Sequence, residues 1–308
     1  MLKGPVVVTG ASGMVGRHLL RVLTREGLSC IASSRRQPSA LPADSRWVPW
    51  DLRCWKTPAE LDSLFAQATA VLHLGALVPA VLGDESLPDI FDTNVRATLA
   101  LGYWARQRNI PLIYLSGSTV YANPYREHIR EDDEKVSRGV GGFGLYGVSK
   151  LMAEEVLLHV AEPDAPLCIL RPSSIYGCGL AANKMIMRFL SEAAAGRTIE
   201  LAPPVDDRVD LIHAEDVASA ILRALEREAW GVFNVGTEHP VSVLEIATSC
   251  VEAVGKGSVR VVDAPANRPP QVRFHLCCEA ARRRFDFRPV LSLRAGMKLM
   301  WDDLTAGC

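Results

Sequence analysis

Two side chains on one predicted helix have the spacing for proton transfer. Tyr146 and Lys150 are four residues apart, so a helix over residues 146–160 places the phenol and the ammonium on one face. A nearby ammonium lowers the pKa of a phenol from its ordinary value of about 10. The pair therefore predicts general acid–base chemistry, in which Tyr146 exchanges the proton.

Three glycines near the N-terminus have the spacing of a phosphate-binding turn. Gly10, Gly13 and Gly16 follow the apolar segment 5–9 and precede a helical pattern, after which a second strand is predicted over 28–33. These elements form one βαβ unit. Bare backbone and a helix N-terminus there would bind a pyrophosphate. A tight turn without a ligand is the alternative, but the order of the elements favours a dinucleotide site.

The end of the second predicted strand bears on the choice of cofactor. A carboxylate at this position would bind the ribose hydroxyls of NAD, but the sequence has Ser33, Ser34, Arg35 and Arg36 there. Guanidinium groups bind phosphate in bidentate geometry, which suits the 2′-phosphate of NADP. A solvated basic loop is the alternative interpretation. We predict NADP in preference to NAD, with Ser34, Arg35 and Arg36 among its ligands.

Strand and helix patterns alternate along the rest of the chain. Further strands are predicted at 70–74, 110–115, 167–170 and 232–235, and further helices at 94–108, 146–160 and 214–227. This alternation predicts an α/β protein with a Rossmann-type, doubly wound parallel sheet. Residues 1–172 would form the dinucleotide-binding domain, to which 216–236 return. Residues 173–308 would form mainly a smaller C-terminal substrate-binding lobe.

Composition excludes several classes of protein. The chain has 308 residues, of which 48% are hydrophobic and 22% charged, and its formal net charge of −1 argues against a nucleic-acid binder. No apolar run approaches the ~20 residues of a membrane span, so we expect a cytoplasmic protein without a membrane partner. The cysteines have no metal-ligand spacing, and we predict no metal site.

Beyond these features, the sequence resembles the extended short-chain dehydrogenase/reductase family of nucleotide-sugar epimerases, dehydratases and ketoreductases. The resemblance extends over almost the whole chain. The motifs that carry it, specific through their order and spacing, are Thr9-Gly10 to Gly16, Asp51-Leu52, His73-Leu74-Gly75-Ala76, Asn94, Ser116 to Tyr121, Tyr146 with Lys150, Arg171 to Gly177, Arg208 to His213, Asp216-Val217-Ala218 and Phe233 to Gly236.

The resemblance implies roles for individual residues. Tyr146 would be the catalytic acid or base, and Lys150 would hold the nicotinamide ribose and tune the phenol. Arg208 and Arg268 would bind the substrate, with Arg268 as a clamp for the diphosphate of a sugar nucleotide. Besides the strand-end residues 34–36 and the Tyr–Lys pair, the cofactor would contact Gly10, Ser12, Gly13, Met14, Val15, Gly16, Asp51, Leu52, Leu74, Gly75, Ala76, Asn94, Pro172 and Ser173.

One segment departs from the family pattern. The motif Ser116 to Tyr121 ends in Val120-Tyr121. When this pair is aligned with the corresponding pair of the family, Gly117 stands where the family has its catalytic hydroxyl. Either Ser116 or Ser118 replaces that hydroxyl, or the hydroxyl is missing. Ser118 is also expected to contact the substrate. Family dehydratases carry an Asp-Glu pair directly after the catalytic hydroxyl, where this chain has Ser118-Thr119. An elimination needs its own acid and base, so a 4,6-dehydratase is disfavoured.

The resemblance thus implies an NAD(P)-dependent oxidoreductase or isomerase of a nucleotide-activated sugar. An epimerase would keep NAD bound, whereas a 4-ketoreductase would exchange NADPH and NADP in each turnover, and both stay open. Alternatives are an NADPH-dependent reductase of a non-sugar ketone and a non-catalytic NADP sensor. Family members often dimerise through the helices at 94–108 and 146–160, so a homodimer is expected. Arg171 and Asp216 are expected to form a structural hydrogen-bond pair.

Overall fold

Short strands and longer helices alternate through residues 4–79, 86–123, 125–136 and 144–307, which this computed structural model describes. The strands are β1 (Val6–Thr9), β2 (Cys30–Ser34), β3 (Arg46–Pro49), β4 (Ala70–His73), β5 (Leu112–Leu115), β6 (Leu167–Pro172), β7 (Ser174–Tyr176), β8 (Thr198–Leu201), β9 (Arg208–Val209), β10 (Leu211–His213), β11 (Gly231–Val235), β12 (Val241–Ser242), β13 (Ser258–Val261) and β14 (Val272–Arg273). The helices are α1 (Met14–Arg25), α2 (Pro58–Phe65), α3 (Leu87–Phe91), α4 (Ala97–Gln107), α5 (Gly144–Ala161), α6 (Met185–Ala194), α7 (Ala214–Glu226), α8 (Val243–Val254), α9 (Glu279–Phe285) and α10 (Leu293–Thr305).

Seven parallel strands form the central sheet, in the order β11-β6-β5-β4-β1-β2-β3. The inner strand β1 is buried along its whole length, which is typical of a sheet covered on both faces. Thr9 pairs in register with Ser33 and with His73, so these three strands end at the same level. The predicted α/β fold with a Rossmann-type parallel sheet is confirmed.

Helices cover both faces of this sheet. On one face, α1 and α7 pack together, and α1 contributes Leu19 and Leu23, which are four residues apart and fully buried. On the other face, α4 and α5 pack together, with Trp104 and Leu157 in the core. Burial of each such side chain contributes about 1.5–3 kcal/mol. The two layers hold the strand ends in fixed positions.

The residues after β6 form a smaller lobe with a core of its own. Helices α6, α8 and α10 contribute Phe189, Ile246 and Met297 to this core. Short sheets of β12-β9-β14, β13-β8 and β10-β7 border it. Strand β11 lies elsewhere, at the edge of the central sheet beside β6. The C-terminal half therefore contributes to both parts of the fold.

The helix predicted from residue 94 differs from the observed one in its first turn. A π-helical segment at Asp92–Arg96 precedes α4. Such segments are rare and often occur at functional sites. Among the described residues, no helix is long and apolar enough to cross a membrane.

Candidate functional site

One edge of the central sheet brings the predicted site residues together. Because the strands are parallel, the segments after β1, β2, β4, β5 and β6 all leave from this edge. Gly10, Arg35, Leu74, Ser116 and Ser173 each stand in one of those segments. The carboxyl edge of an open α/β sheet is where ligands bind.

The glycine turn after β1 packs closely against the segment after β4. Gly10 has a φ of +67°, and a Cβ there would lie 2.7 Å from the Cα of Gly75. A Cβ on Gly16 would lie 2.3 Å from the carbonyl oxygen of Gly10. Gly13 caps α1 without a side-chain hydrogen bond, so the first N–H groups of the helix have no capping side chain. A pyrophosphate fits this uncapped N-terminus, which Met14 and Val15 begin.

A cleft runs from this turn along the strand ends. The predicted cofactor residues that line it are Gly10, Ser12, Gly13, Ser34, Arg35, Asp51, Leu52, Leu74, Gly75 and Ala76. Lining residues that the motifs did not indicate are Trp50, Arg53, Leu77 and Thr93. Of these, Trp50 could have been predicted from the sequence, because it directly precedes Asp51, which was predicted to contact the cofactor.

Charged groups of both signs stand at the mouth of this cleft. Arg53 donates to Asp51 with a distance of 2.6 Å between Nη2 and Oδ2, and this hydrogen bond holds the pKa of Asp51 below its ordinary value. Arg35 lowers the same pKa further through its charge. The Asp51 side of the cleft therefore carries an ionised carboxylate between guanidinium groups.

A second cavity lies beside the cleft and shares Arg35 with it. Its lining includes Arg17 and Arg21 from α1 and Arg35 and Arg36 from the end of β2. The hydroxyl of Ser34 donates to the carbonyl oxygen of Arg36 at 2.7 Å, which turns the chain at this point. Arg35 and Arg36 are exposed. Arg21 already pairs with Asp303 and Arg17 donates to the carbonyl oxygen of Ser12, so Arg35 and Arg36 contribute the two exposed guanidinium groups that border this space.

The predicted acid–base pair lies on the first turns of α5. Lys150 is 2% exposed and donates through Nζ to the carbonyl oxygen of Leu115 at 2.7 Å. Its Nζ also lies 4.4 Å from the ring centroid of Tyr114. Burial lowers the pKa of Lys150 to about 7, against the opposing charge of Glu154. Tyr146 lies one turn earlier on the same helix.

The prediction that Lys150 lowers the pKa of the phenol is wrong for the chain by itself. Burial raises the pKa of Tyr146 to about 12. Burial is the cause, since desolvation disfavours the charged phenolate. Tyr146 therefore holds its proton at neutral pH.

Two serines at the end of β5, Ser116 and Ser118, were predicted as replacements for the hydroxyl missing at Gly117, and the structure shows that one of them is already bound. Ser116 is buried and its hydroxyl donates to the carboxylate of Glu154. Gly117 has extended backbone, and a Cβ there would contact Thr119, with its Oγ1 at 3.4 Å. That Oγ1 is buried and has no hydrogen-bond partner within the described ranges. Ser118 is buried beside it. The sequence motifs therefore missed Thr119.

Glu154 also forms the buried ion pair of this region. Arg171 donates to it with a distance of 2.6 Å between Nη2 and Oε2, and both side chains are almost completely buried. Asp216 instead accepts from the backbone N–H groups of Val290 and Leu291 at 3.0 and 3.2 Å. The predicted pairing of Arg171 with Asp216 is wrong, because the two belong to different networks.

Asn94 connects three segments around the cleft. Its Oδ1 accepts from the backbone N–H of Leu77 at 2.7 Å, and its Nδ2 donates to Ser149 Oγ at 3.0 Å. The π-helical segment also places Thr93 at the cleft, where its buried hydroxyl has no partner in the part of the chain described. Asn94 thus positions the segment after β4 against α5.

The remaining predicted cofactor residues lie at the end of β6. Pro172 pairs in register with Val235, and the Ser173 N–H donates to the carbonyl oxygen of Val235 at 2.9 Å. The hydroxyl of Ser173 is buried and makes no hydrogen bond to another described residue. This polar atom, at the same sheet edge as the glycine turn, is available to a ligand.

A third cavity, on the side of the C-terminal lobe, has basic side chains on several segments. Two of the three predicted substrate residues, Arg208 and Arg268, line it, whereas Ser118 does not. Lys184 and Arg273, which the motifs did not indicate, line it as well. Arg268 forms an ion pair with Asp207, with 2.5 Å between Nη2 and Oδ2. Arg273 could have been predicted as a further substrate residue, because it follows Arg268 by only five residues. The cavity carries a surplus of positive charge suited to a diphosphate.

Comparison with known proteins identifies the family. The family model "NAD dependent epimerase/dehydratase family" matches residues 6–236. A dTDP-4-dehydro-6-deoxy-D-allose reductase from a Streptomyces species is 27% identical over 266 residues, which cover 82% of this chain and 81% of the relative. A UDP-glucose 4-epimerase from Bacillus subtilis is 26% identical over 287 residues, with 82% of each protein covered.

Solved structures extend the similarity to the whole fold. The structure of MoeE5 in complex with UDP-glucuronic acid and NAD superimposes with a TM-score of 0.81, at 26% identity, covering 99% of this chain and 100% of MoeE5. The UDP-N-acetylglucosamine 4-epimerase from Bacillus cereus, at 21% identity, shares the fold with a TM-score of 0.82, covering 99% and 98%. Because the matched segment 6–236 is most of the chain, the protein belongs to the NAD dependent epimerase/dehydratase family, as its motifs predicted.

Proposed function

We propose that the protein is an NADPH-dependent reductase of a keto sugar attached to a nucleoside diphosphate. Its membership of the family supports the class of reaction, an NAD(P)-dependent conversion of a nucleotide-activated sugar. The observation that carries the choice of cofactor is the cavity lined by Arg17, Arg21, Arg35 and Arg36 beside the glycine turn. Guanidinium groups at this position recognise the 2′-phosphate that distinguishes NADP from NAD.

The direction of the reaction rests on the protonation of Tyr146. When bound, the dinucleotide supplies the hydride. Tyr146 donates its phenolic proton to the carbonyl oxygen of the substrate as the alcohol forms. The raised pKa, about 12, keeps that proton in place at neutral pH. Lys150 holds the nicotinamide ribose by hydrogen bonds from Nζ. A protonated phenol beside the substrate carbonyl is the general acid that reduction of a ketone requires.

Thr119 supplies the second hydrogen bond to the carbonyl oxygen in this proposal. Its Oγ1 is buried without a partner among the residues described, which is unfavourable unless a ligand accepts from it. It lies 3.4 Å from the position that a Cβ on Gly117 would occupy, so it can replace a hydroxyl there. Ser116 is already bound to Glu154. Ser118 contacts the sugar from the same turn.

The substrate diphosphate binds in the cavity of the C-terminal lobe. Lys184, Arg208, Arg268 and Arg273 stand on four separate segments around it. Charge-assisted hydrogen bonds to phosphate are the strongest that such side chains make. Relatives named for dTDP- and UDP-sugars support a nucleotide as the common part of the substrate.

A 4-epimerase with tightly bound NAD is the second candidate. The MoeE5 structure, which holds NAD, and the Bacillus subtilis epimerase favour it. The deciding experiment is to denature freshly purified protein, identify any released nucleotide by chromatography and measure NADPH and NADH affinity. Empty protein that binds NADPH at least about tenfold more tightly than NADH, a difference of about 1.4 kcal/mol, supports the reductase. NAD at close to one per chain overturns it.

The arginine cavity allows a direct test of the cofactor choice. Substitution of both Arg35 and Arg36 by Ser removes two guanidinium groups and is expected to weaken NADPH binding by about 100-fold, with little effect on NADH. Arg283→Ser, at an exposed position of α9, is the matched control. Equal losses for both nucleotides would contradict recognition of a 2′-phosphate.

The proposal includes a homodimer in the cytoplasm, where nucleotide sugars and NADPH are available. Leu99 and Tyr103 on α4 and Met152 and Leu158 on α5 are exposed apolar side chains on two adjacent helices. Association of two copies through these helices would bury them. Light scattering after gel filtration is expected to give twice the monomer mass. A monomeric mass for Leu158→Glu supports this face, and a dimeric mass contradicts it.

A further inference from the structure

We infer that Glu127, His128 and His275 form a binding site for a zinc ion. These residues stand apart from the cofactor cleft and from the acid–base pair. They come from two segments that are far apart in the sequence, one after β5 and one after β14. The inference is independent of the proposed function.

The three side chains are close enough to share an ion. Their ligand atoms all lie within 4.8 Å of one another, and the imidazole rings of His128 and His275 are 4.5 Å apart between centroids. Tetrahedral zinc with bonds of about 2.0–2.1 Å separates its ligand atoms by roughly 3.3 Å. Glu127 and His128 are exposed, so rotation of their side chains can close this difference.

Backbone hydrogen bonds hold the two histidine segments in register. Ile129 forms a parallel bridge with Leu276. The Ile129 N–H donates to the carbonyl oxygen of His275 at 2.9 Å, and the Cys277 N–H donates to that of Ile129 at 2.8 Å. The site is therefore fixed by main chain on both sides, and its two histidines approach each other without a further change of fold.

One buried atom and one backbone angle mark the two histidines. Nδ1 of His275 is buried and has no hydrogen-bond partner in the described ranges. His128 has a φ of +52°, in the left-handed region that residues other than glycine seldom adopt. An ion would supply a partner for Nδ1. Two imidazoles and one carboxylate favour zinc over magnesium or calcium, which prefer oxygen ligands.

The ion would join two segments that border the substrate-side cavity. Tyr125 precedes the first two ligands, and Arg273 and Phe274 precede His275; all three line that cavity. Arg273 also donates to the hydroxyl of Tyr125 at 2.8 Å. The ion would thus connect the two segments at the edge of the cavity, with three protein ligands and water in the fourth position of the tetrahedron.

The test is a titration of chelator-treated, untagged protein with Zn²⁺ in a calorimeter. We expect one ion per chain with a Kd of about 10 µM or tighter, and a thermal midpoint that rises with Zn²⁺. His128→Asn, which tolerates left-handed backbone, and His275→Gln are each expected to weaken binding by about tenfold or more. His159→Gln, at an exposed position of α5, is the matched control and should bind as the parent does.

Circular dichroism in the presence of chelator verifies that each variant is folded. Glu127→Gln, at an exposed position, provides a third test of the ligand set. A parent Kd weaker than about 10 µM overturns the inference. A loss of less than about tenfold in either histidine variant, or Mg²⁺ binding as tight as Zn²⁺, overturns it as well.

Discussion

The cofactor cleft and the substrate-side cavity are built in different ways. Backbone and buried groups form much of the cleft and of the sheet edge beside it. A glycine turn and the π-helical segment with Thr93 line the cleft, and Lys150, which is 2% exposed, contacts the end of β5 at that edge. Arg208 and Arg268 in the cavity are both 43% exposed at the side chain and already form surface ion pairs. One region is held by the core of the sheet and the other by long side chains on its surface.

The difference predicts how each region responds to substitution. Groups held by buried packing have their geometry set before a ligand binds. Removal of such a group therefore removes its whole contribution to the rate. Exposed arginines lose side-chain entropy when they bind a ligand, and exposed ion pairs contribute little. Changes in the cleft should therefore affect rate strongly, and changes in the cavity should affect substrate binding moderately.

The strongest test of the comparison is Tyr146→Phe. Without the phenolic hydroxyl no proton reaches the carbonyl oxygen, and kcat is expected to fall by about 10³-fold. The affinity for NADPH, measured by fluorescence titration, should change less than about twofold, because the ring remains. Tyr103→Phe, at an exposed position of α4, is the control. A variant that keeps more than a tenth of the parent activity would remove Tyr146 from the mechanism.

Thr119 provides the next largest effect. Thr119→Val keeps the shape and loses the hydroxyl, and kcat is expected to fall by about 10- to 100-fold, the value of one hydrogen bond to a developing charge. Thr119→Ser should stay close to the parent. Gly117→Ser in the Thr119→Val background should restore much of the rate, because a side chain at 117 fits beside position 119. A full rate in Thr119→Val would remove Thr119 from this role.

Arg268→Ala tests the substrate-side cavity. Loss of one exposed guanidinium is expected to raise KM for a sugar nucleotide by about tenfold with kcat nearly unchanged. Steady-state kinetics with Arg283→Ala as control measures this effect. If turnover is indifferent to the change, Arg268 is no diphosphate clamp and a non-sugar ketone becomes the better substrate class.

The burial of Lys150 predicts a smaller, pH-dependent effect on stability. Its pKa is about 7 in the folded chain and 10.5 ordinarily, so between these values the unfolded chain binds more protons. The free energy of unfolding should therefore rise with pH in this window, by about 1 kcal/mol between pH 7 and pH 8. Lys150→Met removes that increment, whereas Arg268→Met should not. Urea titrations at both pH values measure it. An unchanged slope in Lys150→Met would contradict a buried, titrating ammonium.

The comparison of regions also separates what sequence patterns could predict from what they could not. The glycine turn, the Tyr–Lys pair and the alternation of strands and helices follow from local rules, since spacing along the chain decides which residues share a turn or a face. These features predicted the fold, and the glycine turn and strand end that line part of the cleft. The resemblance to the family implied the other predicted lining residues, Asp51, Leu52 and Leu74 to Ala76 among them, and the two arginines of the substrate-side cavity, but neither Lys184 nor Arg273.

The sequence by itself determined the features that lie within one βαβ unit or one helix, such as the glycine turn and the Tyr–Lys pair, because their residues are neighbours along the chain. Tertiary structure decided the rest. It paired Arg171 with Glu154, bound Ser116 to the same carboxylate and left Thr119 without a partner. It also raised the pKa of Tyr146, which lies four residues from an ammonium. Burial and long-range pairing depend on segments far apart in the chain, and no spacing within one segment encodes them.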